Sequence, residues 1–125
     1  MTRFLLVCLG GACGTGARYL VGAWAVRTWG ARFPFGTLAI NALGSFLLVM
    51  ILYLGTQARL ISADTRIILG TGVMGGFTTY STFNYEVLRF LQEGAYGAAA
   101  LYLGGTVGGC LAAGALAVTV AKMFV

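Results

Sequence analysis

The chain has 125 residues, 59% of them hydrophobic and 9% charged, where a typical soluble domain carries about 25% charged residues. So few charges cannot cover a soluble domain of this length, and one polytopic membrane domain is the expected class. The net charge of +5 comes from basic residues scattered singly, which suits the flanks of membrane spans and argues against a nucleic-acid face.

The first predicted span is Phe4 to Val26, long enough at about 1.5 Å per residue for a hydrocarbon core of about 30 Å. Arg3 before an apolar run has the outline of a signal peptide. The run, however, continues past any small-residue cleavage site, and Gly10-Gly11-Ala12-Cys13 lacks the aliphatic residue of a lipoprotein signal. Gly10 and Gly14, like Ala12 and Gly16, are spaced for close helix contact. Arg18 is the unusual residue: a cation near a helix centre costs about 2.5–3.5 kcal/mol on insertion scales. Either it reaches the interface, or it faces inward as a positive charge that attracts anions. The three cysteines, Cys8, Cys13 and Cys110, form no Cys-x-x-Cys and read as small apolar residues rather than a disulfide framework or a zinc site.

Arg27 to Phe33 reads as a short loop, and Pro34 restarts a helix as proline does in a first turn. Phe35 to Thr56 is a second span without a charged residue. Asn41 and Ser45 share one of its faces with Gly44 nearby. The Asn41 amide has two readings: a bond to a neighbouring helix, or a donor to a ligand. Gln57 to Arg66 is the longest polar connection, where Asp64 is placed to cap the next helix.

Ile67 to Leu91 is the third span, and Gly72 to Phe83 within it cannot be ordinary lipid-facing helix. Gly75 and Gly76 each lower helix propensity by about 1 kcal/mol relative to Ala. The hydroxyls of Thr78, Thr79, Ser81 and Thr82 offer the backbone other partners. A helix break is expected here, and broken backbone at membrane depth is tolerated only where protein buries it or it lines a polar cavity. Beyond the break, Tyr80 and Phe83 share a face, and Glu86 and Arg89 are spaced to pair. Glu93 to Gly97 is a tight turn. Ala98 to Ala121 is the fourth span, with glycines at 104, 105, 108 and 109 and a polar line at Tyr102, Thr106 and Cys110.

Four spans put both termini on one side. Arg3, Arg59, Arg66 and Lys122 then face Arg27, Arg32 and Arg89. This is almost no bias, so the chain should insert in both orientations. An antiparallel homodimer satisfies that balance and gives the exposed small-residue faces a partner. A small multidrug exporter would share this shape but carry a carboxylate in its first span, where this chain has Arg18. An enzyme is not indicated, since there is no histidine and no acid/base constellation. A purely structural protein would explain the glycines but not the polar line through Asn41, Ser81, Thr82 and Thr106.

These motifs resemble those of the Fluc (CrcB) fluoride channel family, in order over the whole chain: Gly10-Gly11-Ala12-Cys13-Gly14 leading to Arg18-Tyr19, Gly36-Thr37-Leu38-Ala39-Ile40-Asn41, and Gly75-Gly76-Phe77-Thr78-Thr79-Tyr80-Ser81-Thr82-Phe83. The resemblance implies an all-α membrane protein of four helices, the third broken, paired as a dual-topology homodimer within bacterial inner-membrane lipid. It implies two antiparallel fluoride pores and a structural sodium ion at the dimer centre. The sodium would be held by the backbone carbonyls of Gly75 and Thr78. The pore residues would be Asn41, Tyr80, Ser81, Thr82, Phe83, Tyr102, Thr106 and Cys110. Tyr80 stands where the family often has Phe, and Cys110 where it often has a hydroxyl. The chemistry agrees, because an unpaired small anion in a low-dielectric medium costs tens of kcal/mol by a rough Born estimate, so a path for it must supply donors. Amide N–H, hydroxyl O–H and the positive edge of an aromatic ring are such donors.

Overall fold

The computed structural model describes residues 1–125, and every regular element is helical. Helix α1 spans Thr2–Trp29 and ends at Gly30, whose φ of 77° is left-handed and whose N–H bonds the Val26 carbonyl at 2.9 Å. Helix α2 spans Phe35–Thr56, matching the uncharged run in the sequence. Pro34 lies just outside it rather than in its first turn, and its carbonyl accepts from the Leu38 N–H at 3.1 Å.

The third segment is composite. It runs as α3 (Ala63–Ile67), a π-helical stretch (Ile68–Met74), α4 (Gly75–Phe77) and α5 (Tyr80–Gln92). Ser62, not Asp64, caps α3: its Oγ accepts the Thr65 N–H at 3.1 Å. Asp64 lies in the first turn and instead pairs with Arg3 of α1. A tight turn with Gly94 at φ 72° leads into α6 (Tyr96–Ala121), which begins slightly ahead of the predicted span and ends in a 3-10 turn, Lys122–Phe124.

Two packings set the architecture. Helix α2 lies along α6, and α1 lies along the π-helical stretch and α4. The second contact is backbone on backbone. A methyl group added at Gly14 would overlap the Val73 carbonyl, and one at Gly76 would overlap the Gly11 carbonyl. Side chains at these two positions would push the helices apart, so the glycines decide how closely the third segment approaches α1.

The interior is thin. Only 18 of 125 residues are buried, while large apolar side chains such as Leu9, Leu20, Leu101 and Leu111 face outward. A soluble monomer does not expose apolar surface all round. α1, α2 and the stretch Tyr96–Phe124 are each long and apolar enough to cross a membrane. What core there is forms two clusters, one of Ile40, Met74 and Phe77, the other of Phe83, Phe90, Ala99 and Tyr102. They lie on either side of the Thr78–Thr79 link between α4 and α5.

Candidate functional site

Thr78 (φ −82°, ψ 158°) and Thr79 (φ −151°, ψ 112°) leave helical dihedrals between α4 and α5. The lost helical bonds are replaced locally. Thr78 donates its N–H and its Oγ1–H to the Met74 carbonyl, both at 2.9 Å. The Thr79 N–H donates to Asn41 Oδ1 at 2.8 Å, and Asn41 Nδ2 donates to the Thr79 carbonyl at 3.0 Å. Thr79 Oγ1 then caps α5 by accepting the Thr82 N–H at 3.3 Å.

The break leaves the carbonyls of Gly75 to Thr78 without helical donors, Gly75 and Thr78 among them. In a continuous helix the N–H of residue i+4 bonds the carbonyl of residue i. The donor for Gly75 is thus taken by Asn41, and the donor for Thr78 is taken by the Thr79 hydroxyl. Gly75 and Thr78 are the positions whose carbonyls the sequence resemblance assigned to sodium. An uncharged carbonyl without its helical donor is a suitable ligand for a hard cation, so the residues present fit that ion.

Beside the break lies a cavity of about 300 Å³ bordered by Asn41, Ser45, Tyr80, Phe83, Thr106 and Cys110. No residue lining it is charged. The Thr106 hydroxyl is shielded from solvent and has no hydrogen-bond partner. Leaving a buried hydroxyl unpaired costs about 1–3 kcal/mol, so this donor is available to a guest. Phe83 is buried and meets Tyr80 and Tyr102 edge to face, with ring centroids 5.7 and 5.2 Å apart.

A second, larger cavity of about 620 Å³ opens between α1, the α1–α2 loop and α5. Arg18, Arg27 and Arg89 line it together with Thr82, Glu86 and Phe33. The Nε–H groups of Arg18 and Arg89 are shielded from solvent and donate to no hydrogen-bond partner. Arg18 thus contributes to this groove. Glu86 does not pair with Arg89, as the local spacing had suggested. Its Oε2 accepts from the Tyr102 hydroxyl at 2.6 Å and its Oε1 from the Thr37 hydroxyl at 3.0 Å, while Arg89 lies 4.0 Å from Glu93.

The structure therefore brings Asn41, Tyr80, Phe83, Thr106 and Cys110 around one cavity and puts Thr82 on the other. Tyr102 lines neither. It is fully buried behind Phe83 and Phe33 and tied to Glu86. Ser81 is exposed, with its Oγ 3.5 Å from Thr79 Oγ1. Three participants were not assigned to the site from sequence: Thr37, Thr79, named only as a helix-breaking hydroxyl, and Glu86, named only as a partner for Arg89. Thr37 precedes Asn41 by one helical turn and so shares its face. Glu86 is an acid inside an apolar segment, itself a functional signal.

Residues 5–118 match the family described as "CrcB-like protein, Camphor Resistance (CrcB)". The chain is 58% identical over 113 residues, 90% of each protein, to "Fluoride-specific ion channel FluC" of Anaeromyxobacter dehalogenans. It is 44% identical over 125 residues to the protein of that name from Sorangium cellulosum, covering 100% of this chain and 98% of the relative. A Thermus thermophilus protein of the same name is 50% identical over 105 residues, 84% and 82% of the two chains. The chain is an integral membrane protein of the CrcB family, whose relatives carry the name of a channel and not of an enzyme.

Proposed function

We propose that this chain forms a fluoride-selective channel that lets the ion leave the cytoplasm passively down its gradient. The observation that carries the reading is the uncharged cavity beside the break. There the Asn41 amide, the unpaired Thr106 hydroxyl and the Tyr80 and Phe83 rings meet without a carboxylate among the lining residues. Its relatives' names supply the identity of the anion.

The chemistry runs from dehydration to release. Fluoride gives up water at membrane depth only if donors replace it. The arginines of the larger cavity raise the local anion concentration. Thr82, Asn41 and Thr106 then offer N–H and O–H, and the edge of Phe83 offers a weak positive field. The absence of a fixed cation from the narrow cavity lets the ion leave as readily as it arrives. Ser81, Tyr102 and Cys110 complete the polar line in this reading, with Tyr102 acting through its bond to Glu86.

Two chains pair in antiparallel orientation, giving two pores, in the bacterial inner membrane. The composite third segment makes the fourth crossing, with its break at Thr78 and Thr79. The thin interior, the outward apolar side chains and the near-balanced cations support a second copy. Purified protein that conducts while running as a monomer would contradict the pairing. The carbonyls of Gly75 and Thr78 would hold a sodium ion, whose charge would offset their dipoles. It is structural, and labelled sodium moving in fixed ratio with fluoride would exclude that role.

Expression in a bacterium lacking its own fluoride exporter tests the function. Cytoplasmic fluoride should fall and growth in fluoride medium should return. Membrane-inserted protein that leaves internal fluoride unchanged would overturn the reading.

A further inference from the structure

The two cavities have one lining residue in common, Thr79. It is 9% exposed, and each of its polar groups is held in a defined way. Asn41 takes both backbone groups, and Thr79 Oγ1 accepts the Thr82 N–H while donating its own hydrogen to Thr82 Oγ1 at 2.9 Å. A hydroxyl has one donor hydrogen and two acceptor lone pairs. Capping α5 uses only a lone pair. The hydrogen goes to another hydroxyl, which has a hydrogen of its own to offer and lines the arginine-bearing cavity.

We propose that Thr79 is an ion-contact residue at the crossing between the two cavities. Its Oγ1–H turns from Thr82 Oγ1 to the passing anion while the oxygen continues to cap α5. The inference rests on the fluoride-channel reading and adds to it the residue that joins the arginine-lined approach to the aromatic cavity. The geometry favours this over a cap alone. A cap has to face only its own helix end, whereas Thr79 also forms wall on both cavities and is fixed there by an amide from another helix. Thr82 Oγ1 keeps its own hydrogen when that donor turns away, and the Ser81 hydroxyl lies 3.5 Å from Thr79 Oγ1.

The test separates cap from contact. Asp and Gly both serve at helix N-caps. Thr79→Asp keeps the capping oxygen but loses the donor hydrogen and adds a charge that itself repels the anion, so the deciding variant is Thr79→Gly, which keeps the helix start and loses the hydroxyl without adding charge. Both variants, reconstituted in fluoride-loaded liposomes beside wild type, should unfold near the wild-type temperature. Their fluoride efflux should fall by about tenfold or more, the scale of one lost hydrogen bond to a charged group. Thr79→Ser, which retains the hydroxyl, should restore most of the flux. Wild-type efflux in either folded variant would make Thr79 a cap and nothing more. Absent efflux from wild type itself would instead overturn the channel reading.

Discussion

Asn41 holds Thr79 by both of its backbone polar groups, one accepted at 2.8 Å and one donated to at 3.0 Å, across a sequence separation of 38 residues. One neutral amide thereby takes the Thr79 N–H that has lost its helical acceptor and adds a donor to the carbonyl that opens α5. Asn41→Asp turns the second bond into a repulsion between a carboxylate and a carbonyl. Loss of about 1–3 kcal/mol of stability is expected, read by thermal unfolding in detergent. Fluoride efflux should also fall, because an acid in the cavity repels the anion. Unchanged unfolding together with full flux would show that Asn41 neither holds the break nor faces the ion.

The crossing of α1 and α4 gives a pair of contrasting substitutions. Gly76→Ala places a methyl on the Gly11 carbonyl, whereas Gly16→Ala on α1 meets nothing within 4 Å in the protomer. Overpacking at Gly76 should cost about 1–3 kcal/mol. Gly16→Ala should stay within about 0.5 kcal/mol of wild type. Equal unfolding temperatures for the two variants would mean that the helices do not meet backbone to backbone.

The ring chain through Phe83 predicts a loss of function without a large loss of fold. Phe83→Ile leaves apolar bulk between Tyr80 and Tyr102 but removes the ring edges that meet them. Efflux should drop strongly while the protein still elutes at the wild-type size. Tyr80→Phe keeps the ring and removes a hydroxyl on a side chain that is 78% exposed, so its effect should be smaller. The reverse order of effects would move the ion's path away from Phe83.

What the sequence disclosed and what it withheld divide along contact range. The uncharged run of α2 set both its ends, since hydropathy and length are local properties. Residue types at the site were equally legible, because an amide, hydroxyls and paired glycines inside apolar segments have no lipid-facing reason to be there. Partners were not. Periodicity finds neighbours one turn away, so Glu86 was matched to Arg89, whereas its hydrogen bonds come from Thr37 on α2 and Tyr102 on α6. The cap of α3 was misplaced for a similar reason: Asp64 and Ser62 both cap well, and the ion pair of Asp64 with Arg3 is a tertiary contact. Asn41 was legible as an amide inside an apolar span, but the identity of Thr79 as its partner required the fold.

The antiparallel pairing proposed above rests on a near-balance of flanking cations. Arg3, Arg59, Arg66 and Lys122 oppose Arg27, Arg32 and Arg89, and short-loop cations decide topology. Adding a pair of lysines beside Gly30 or, separately, beside Gln57 should force opposite orientations, read by C-terminal reporters. Neither forced form should conduct alone, and co-expression should restore flux. A wild-type reporter confined to one side, in protein that conducts, would rule out antiparallel pairing.

The most direct measurement is anion efflux from liposomes containing the purified wild-type protein. Vesicles loaded with fluoride should empty down the gradient without ATP or an imposed proton gradient, followed with a fluoride electrode, while vesicles loaded with chloride retain it. Fluoride retained by vesicles that contain folded protein, or chloride released as fast as fluoride, would contradict the account.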